Sequence, residues 1–221
     1  MKALLAMLLG SVLVFGAACS GGNSSNGNTD DTSDQETTES ADDNSQGTEE
    51  TETNKEDSQK AQAAALMSWE LGLIANIHTT EDPFNALTAL AGGKKLDKAQ
   101  VKELAGKAVE SGNSFSEKMK QVEIPSELPK DLQDKLKASV SDLAASFKAR
   151  AGAAKELKSV SSIDELKTQM ATMDLTVPAD AKKEDAKHVG LKEFKSFNKK
   201  LNEVQKAVGL TEPTDFSAEF Q

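Results

Sequence analysis

The sequence predicts an all-α protein: an up-down four-helix bundle with two short additional helices, preceded by a disordered acidic tether. Three observations lead there. From residue 61 onward the chain is built of Ala, Leu, Lys, Glu and Gln, with no tyrosine and few β-branched residues. Its apolar residues recur at three- and four-residue spacing over four long segments, as amphipathic helices require. The connections between those segments are short enough to make sequential helices antiparallel neighbours. Residues 61–221 are an ordinary size for one domain with one core, and no Rossmann, P-loop or repeat signature competes.

Ahead of that domain stand two further regions. Met1 and Lys2 supply a short positive start, and residues 3–15 form an apolar run interrupted only by Gly10 and Ser11. As a helix, residues 3–18 reach roughly 24 Å, short of the ~30 Å hydrocarbon core of a bilayer, so residues 1–18 read as a secretory signal peptide and not as a span. The run closes on Gly16-Ala17-Ala18-Cys19, which holds the chain's one cysteine. This stretch resembles the lipobox of bacterial lipoproteins, with Gly16 where that family usually has leucine. The resemblance implies that the Cys19 thiol is the lipidation site, carrying palmitate-type acyl chains. It also implies that the leader is cut before Cys19 and that the protein is anchored on the outer, extracytoplasmic face of the cell membrane. Acylation would use the single thiol, leaving none for a disulfide. Two acyl chains hold where one is marginal, at ~0.8 kcal/mol per buried methylene.

Residues 19–60 then read as an acylated cysteine followed by a disordered linker. The segment is Ser, Thr, Asn, Gly, Gln, Asp and Glu with almost no aliphatic residue, and it buries too little apolar surface to offset its ordering entropy. Twelve acids stand there against Lys55 and Lys60, a net of −10 that equals the charge of the whole chain. From residue 61 on, 23 basic and 24 acidic residues nearly cancel, so the pI of 4.8 reflects the linker and not an acidic surface on the domain. A self-repelling acidic coil holds the domain off an anionic membrane surface.

Within the domain, a first helix is expected over 59–78, with Leu66, Trp69 or Glu70, Leu73 and Ile77 on one face. It breaks at Thr79-Thr80-Glu81-Asp82-Pro83, where proline removes a backbone donor. A short helix over 83–91 turns Phe84, Leu87 and Leu90 inward and stops at Gly92-Gly93. Asp97 with Gln100 reads as the capping pair of a second long helix, whose seam runs Val101, Leu104 or Ala105, Ala108, Gly112, Phe115, Met119 and Val122. Residues 124–129 make a tight connection, with Pro129 suited to a first helical position. The third helix, 129–159, repeats the seam with Leu132, Leu136, Val140, Leu143, Phe147, Ala154 and Leu157. Ser162-Ile163-Asp164-Glu165 resembles a capping box and opens a second short helix with Ile163, Leu166, Met170 and Met173 inward. After Val177-Pro178, the fourth long helix, 180–208, presents Ala186, Val189 or Gly190, Phe194, Phe197, Leu201, Val204 and Val208. The tail from Thr211, with Pro213, Phe216 and Phe220, either folds back onto the bundle or frays.

Chemistry is sparse. No Gly-x-Ser-x-Gly or His-Glu-x-x-His stretch occurs, and the carboxylates alternate with lysines, so no acid pair stands out and no enzyme is expected. With one arginine, Arg150, and a near-neutral domain, no nucleic-acid partner is expected either. The lysines of the fourth helix, among them Lys182, Lys192 and Lys200, interleave with Glu184, Glu193 and Glu203 as a solvated face does, with Glu203 and Lys199 at helical spacing. Trp69, Met67, Met119, Met170 and Met173 fill a core or line a cavity between helices.

No catalytic, metal or cofactor residue is assigned. The expected function is a non-enzymatic interaction or binding module, held off the membrane by its tether and meeting an extracytoplasmic protein or envelope component. A small-molecule or metal-binding surface protein is the alternative. In an up-down order, both irregular connections fall at the end away from the tether, where binding loops concentrate. That end would hold His78, Thr79, Thr80, Glu81, Asp82 and His188.

Overall fold

The computed structural model describes residues 49–176, 188–212, 214, 216 and 220, with side chains from residue 54 onward. The expected signal peptide, Cys19, most of the expected acidic linker and the lysine-rich start of the fourth expected helix lie outside the described residues. Among the described residues every regular element is a helix and there is no strand. The elements are α1 (Glu49–Ala91), α2 (Lys98–Met119), α3 (Lys130–Ala154), a 3-10 turn (Glu156–Ser159), α4 (Ile163–Ala171) and α5 (Leu191–Ala207). No helix described is long and apolar enough to cross a membrane.

Two expectations about the start of the domain are corrected. Residues 49–60, read as linker, are helical, and α1 does not break at 79–83 but passes through Pro83 as one helix. A proline inside a helix costs ~3 kcal/mol through its missing donor and its clash with the preceding turn. Thr79 and Thr80 return their hydroxyls to the carbonyls of Ala75 and Asn76, a back-bonding that accommodates a bend without relieving that cost. Two features offset it. Ser111 of α2 donates to the Thr80 carbonyl at 3.1 Å, supplying a partner in the turn that proline disturbs. Ile77, Phe84 and Leu87 are buried on either side of it, each contributing roughly 1.5–3 kcal/mol.

The remaining elements follow their local signals. Asp97 caps α2 by accepting from the Gln100 N–H at 3.0 Å. Ser162 caps α4 through the Glu165 N–H, while the Glu165 carboxylate reaches back to the N–H and hydroxyl of Ser161. Pro129 stands just before α3, and its carbonyl accepts the first helical bond from Gln133. The third expected helix ends at Ala154 and continues only as the 3-10 turn.

Helix α3 is central, packed along α2 on one side and α5 on the other, while α1 packs on α2 and α4. Gly112 allows the α2–α3 approach, since a Cβ there would lie 2.9 Å from Ala151 Cβ and the Phe147 carbonyl. Gly190 enters α5 with φ of 82°, against the Ser146 carbonyl, a conformation and a closeness that only glycine accepts. Cross-helix ion pairs join α3 to α5: Lys200 with Asp142 at 2.7 Å, and Lys135 with Glu203 at 2.9 Å. Glu203 thus makes its direct ion pair across helices with Lys135, while Lys199 on α5 adds a weaker attraction.

The buried side chains fall into two clusters. The first is rich in phenylalanine: Phe115, Phe147, Phe194, Phe197 and Phe216 pack with Leu66, Leu73 and Leu136. The chain end does fold back, for Phe216 meets Phe197 edge-on at 5.3 Å and Phe220 meets Phe194 at 4.8 Å. The second is built of smaller or softer residues, with Ala105, Ala108, Ala154, Leu157, Met170 and Met173 around Phe84.

Candidate functional site

Arg150 and Glu81 meet between the two clusters. Arg150 falls on the inner seam of α3, one turn past Phe147, and Glu81 falls on the inner face of α1 between Ile77 and Phe84. Their side chains are only 5% and 4% exposed. The pair is bidentate: Arg150 Nη1 donates to Glu81 Oε1, and Nη2 donates to Oε2 at 2.9 Å. The guanidinium also lies over the Phe84 ring, 4.3 Å from its centroid, with Phe147 and Phe220 at 5.4 and 5.9 Å. Removing two charges from water costs several kcal/mol per ion, and only good geometry with further contacts compensates it. The fork-to-fork pairing and the aromatic faces provide both.

Beside this pair lies a cavity of about 530 Å³, walled by residues of α1, α4, the strandless stretch after α4 and Phe220. Phe84, Met170, Met173 and Leu175 make its apolar surface, and Glu81 and Arg150 form part of its wall. Asn85, Thr88, Thr176, Lys167 and Asp174 add polar groups. The Arg150 Nε–H is buried and finds no acceptor among the described residues. The volume lies within the ~300–1,000 Å³ range of small-molecule sites.

Of the residues expected to gather at one end, Glu81 alone lines this cavity. His78, Thr79, Thr80 and Asp82 lie inside α1 and not in a connection, because that helix runs on to Ala91. His78, Thr79 and Asp82 are exposed, and Thr80 is buried with its hydroxyl turned back along the helix. Asp82 lines a separate shallow hollow with Pro83, Leu104 and Lys107. His188 is half-buried ahead of α5, next to Val189, whose N–H donates to the Thr172 carbonyl at 2.6 Å. Among the described residues no three His, Cys, Asp or Glu side chains come together as a metal-ligating group.

The methionine and tryptophan expectation divides. Met170 and Met173 line the cavity, Met119 belongs to the phenylalanine-rich core, and Met67 is 45% exposed. Trp69 borders a different hollow, with Glu123, Ile124 and Pro125. A Ser-x-x-Lys spacing does occur, at Ser196 and Lys199 on α5, but neither residue lines the cavity. Arg150 is the residue that sequence reasoning passed over. Its signal was present: the lone arginine stands in the seam Leu143, Phe147, Arg150, Ala154, at a spacing reserved for buried side chains.

A second buried carboxylate lies on α1. Glu70 accepts from Gln205 of α5 at 2.8 Å and from the Thr214 hydroxyl at 3.3 Å. Burial pushes its carboxyl above the usual glutamate range, and these two hydrogen bonds oppose the shift. Compared with protein-family models, with curated proteins and with solved structures, the chain matches none.

Proposed function

We propose that the chain is a lipoprotein anchored through Cys19 on the extracytoplasmic face of the cell membrane. In this reading it is not an enzyme, and its helical domain binds a small organic molecule in the cavity beside Glu81 and Arg150. The four long helices, running alternately up and down, form the scaffold, and the acidic segment ahead of α1 is the spacer. The observation that carries the binding reading is the cavity of about 530 Å³, with apolar walls and a buried charged pair in them. The leader and the lone cysteine carry the anchor. Full-length protein purified from its own membranes and measured by native mass spectrometry should carry a small-molecule adduct that Thr88→Trp removes by filling the cavity. An adduct-free wild type would overturn the ligand reading. Cys19→Ala should move the protein out of the membrane fraction, and retention at high salt would overturn the anchor.

A second reading has its own support. Between residues 61 and 80 the only charged side chain is Glu70, which is buried, while Met67 and Leu71 of the same helix are exposed. An uncharged outer face on α1 suits docking of an extracytoplasmic protein. Met67→Glu with Leu71→Glu should then abolish cross-linking to that protein without removing the small-molecule adduct.

A further inference from the structure

Resting on the reading that the outer face of α1 docks a protein, we infer that the protein it docks is a second copy of this chain, with the two α1 helices packed antiparallel about Leu71. A stripe that starts at Lys60, passes Met67 and Leu71 and ends at Asp82, in steps of three or four residues, stays within about 40° of one line along the helix. Every position on it is exposed. Met67 and Leu71 are the large apolar side chains left exposed among the described residues, at 45% and 57%, and they stand together at the middle of this stripe. Exposed apolar side chains gathered on one face mark an interaction surface.

The partner is identified by the stripe being its own complement. In a two-fold interface a residue that meets a second one on the partner is met by it in return. Reversing the stripe about Leu71 does this: Leu71 meets its own copy, Met67 meets Ala75, Ala64 meets His78, and Lys60 meets Asp82. A large apolar side chain thus falls opposite a small one, and a cation falls opposite an anion at both ends. Parallel pairing would set Lys60 on Lys60 and Asp82 on Asp82. Lys60 keeps its pairing with Glu56 at 2.8 Å, and its ammonium has three donors, enough for a second carboxylate. Asp57, one turn earlier, falls opposite the uncharged Asn85. Lys107, which borders the same hollow as Asp82, pairs with Glu103 at 2.6 Å. Beyond the stripe, the antiparallel order carries the acidic start of α1, with Glu49, Glu50 and Glu52, toward Lys94, Lys95 and Lys98 of the second copy. In parallel order acid would lie beside acid.

The test uses the full-length chain in two settings. A helix pair about 33 Å long is a small interface, so the dimer is weak in dilute solution and is trapped best in the cell. With benzoylphenylalanine in place of Ala75, irradiation of intact cells should give a product of twice the chain's mass, joined at Met67 of the second copy, and Leu71→Glu should remove it. In sedimentation equilibrium of the detergent-solubilised protein, Leu71→Glu should weaken self-association at least about tenfold. Lys60→Glu should weaken it several-fold, and Lys60→Glu with Asp82→Lys should restore it. A double variant as weak as the single one would overturn the antiparallel order. A product joined only to a different protein, and lost in Leu71→Glu, would overturn the inference while the docking reading stood. No product, or one that Leu71→Glu leaves unchanged, would overturn both.

Discussion

Glu70 and Glu81 stand about three turns apart on one helix, and both are nearly withdrawn from solvent, at 4% and 3% exposure. Their surroundings differ in one respect. Around Glu81 a cation arrives from α3, flanked by aromatic rings; around Glu70 only the neutral donors of Gln205 and Thr214 arrive. A carboxylate that meets a guanidinium has its counterion beside it and anchors a polar point in the cavity wall. One that meets an amide and a hydroxyl has no counterion, and burial favours its protonated form. The same residue on the same helix is thus put to two uses by what the neighbouring helices present.

The largest effect should come from breaking the ion pair. Arg150→Met leaves Glu81 buried without a counterion and should lower stability by ~3–5 kcal/mol in urea denaturation, whereas Glu81→Leu with Arg150→Met should recover most of that loss. If the single variant lost under about 1 kcal/mol, far less than breaking a buried pair costs, the contrast between the two glutamates would collapse.

Glu70→Gln should act in the opposite direction and more weakly. The amide keeps an acceptor for Gln205 and removes the charge, so the variant should be more stable than wild type at neutral pH. The sign follows from linkage. The folded chain holds the Glu70 proton more tightly than the unfolded chain does. Its stabilisation is therefore complete below the ordinary glutamate pKa and is lost as pH rises from there through the raised folded value. The gap between variant and wild type should close as pH falls below the ordinary range. A gap that is constant with pH would show that Glu70 does not titrate as its burial requires.

Smaller again is the surface version of the Glu81 contact. Lys135 and Glu203 are 41% and 44% exposed, so Lys135→Ala should change stability by ~1 kcal/mol or less and lose even that effect in high salt. Its neighbour Lys135 holds the Glu203 carboxyl below the usual range, which gives that group the opposite pH response to Glu70. Removing residues 20–48 should have the smallest effect, with an unchanged denaturation midpoint; a marked drop would show that the acidic segment packs on the domain.

The candidate site was legible only in part. Glu81 drew attention as a member of a supposed connection, and Met170 and Met173 as candidate cavity residues, yet no local pattern joins Glu81 to Arg150 across 69 positions. The heptad-like seam gave each residue a place facing inward, but a seam does not say which charged side chains on two helices will meet at the same height. Phe220 is similar: its aromatic character marked a tail with something to bury, while the ring it would meet depended on where α5 ended.

What the sequence determined by itself is the helical state and most of its punctuation. Helix-forming composition, apolar residues three and four apart, and the Asp97 and Ser162 caps act within a turn or two of backbone, so they are readable without knowing the fold. What only the tertiary structure decided is the continuity of α1 through Pro83, the pairing of Glu81 with Arg150 and the cavity beside them. Each depends on a neighbour far along the chain: Ser111 completing a proline-disturbed turn, an arginine from α3 neutralising a carboxylate on α1, and α4 closing over small and flexible side chains. Local propensity at Pro83 is worth a few kcal/mol, and burial of the residues around it outweighs that only once the partner helices are in place.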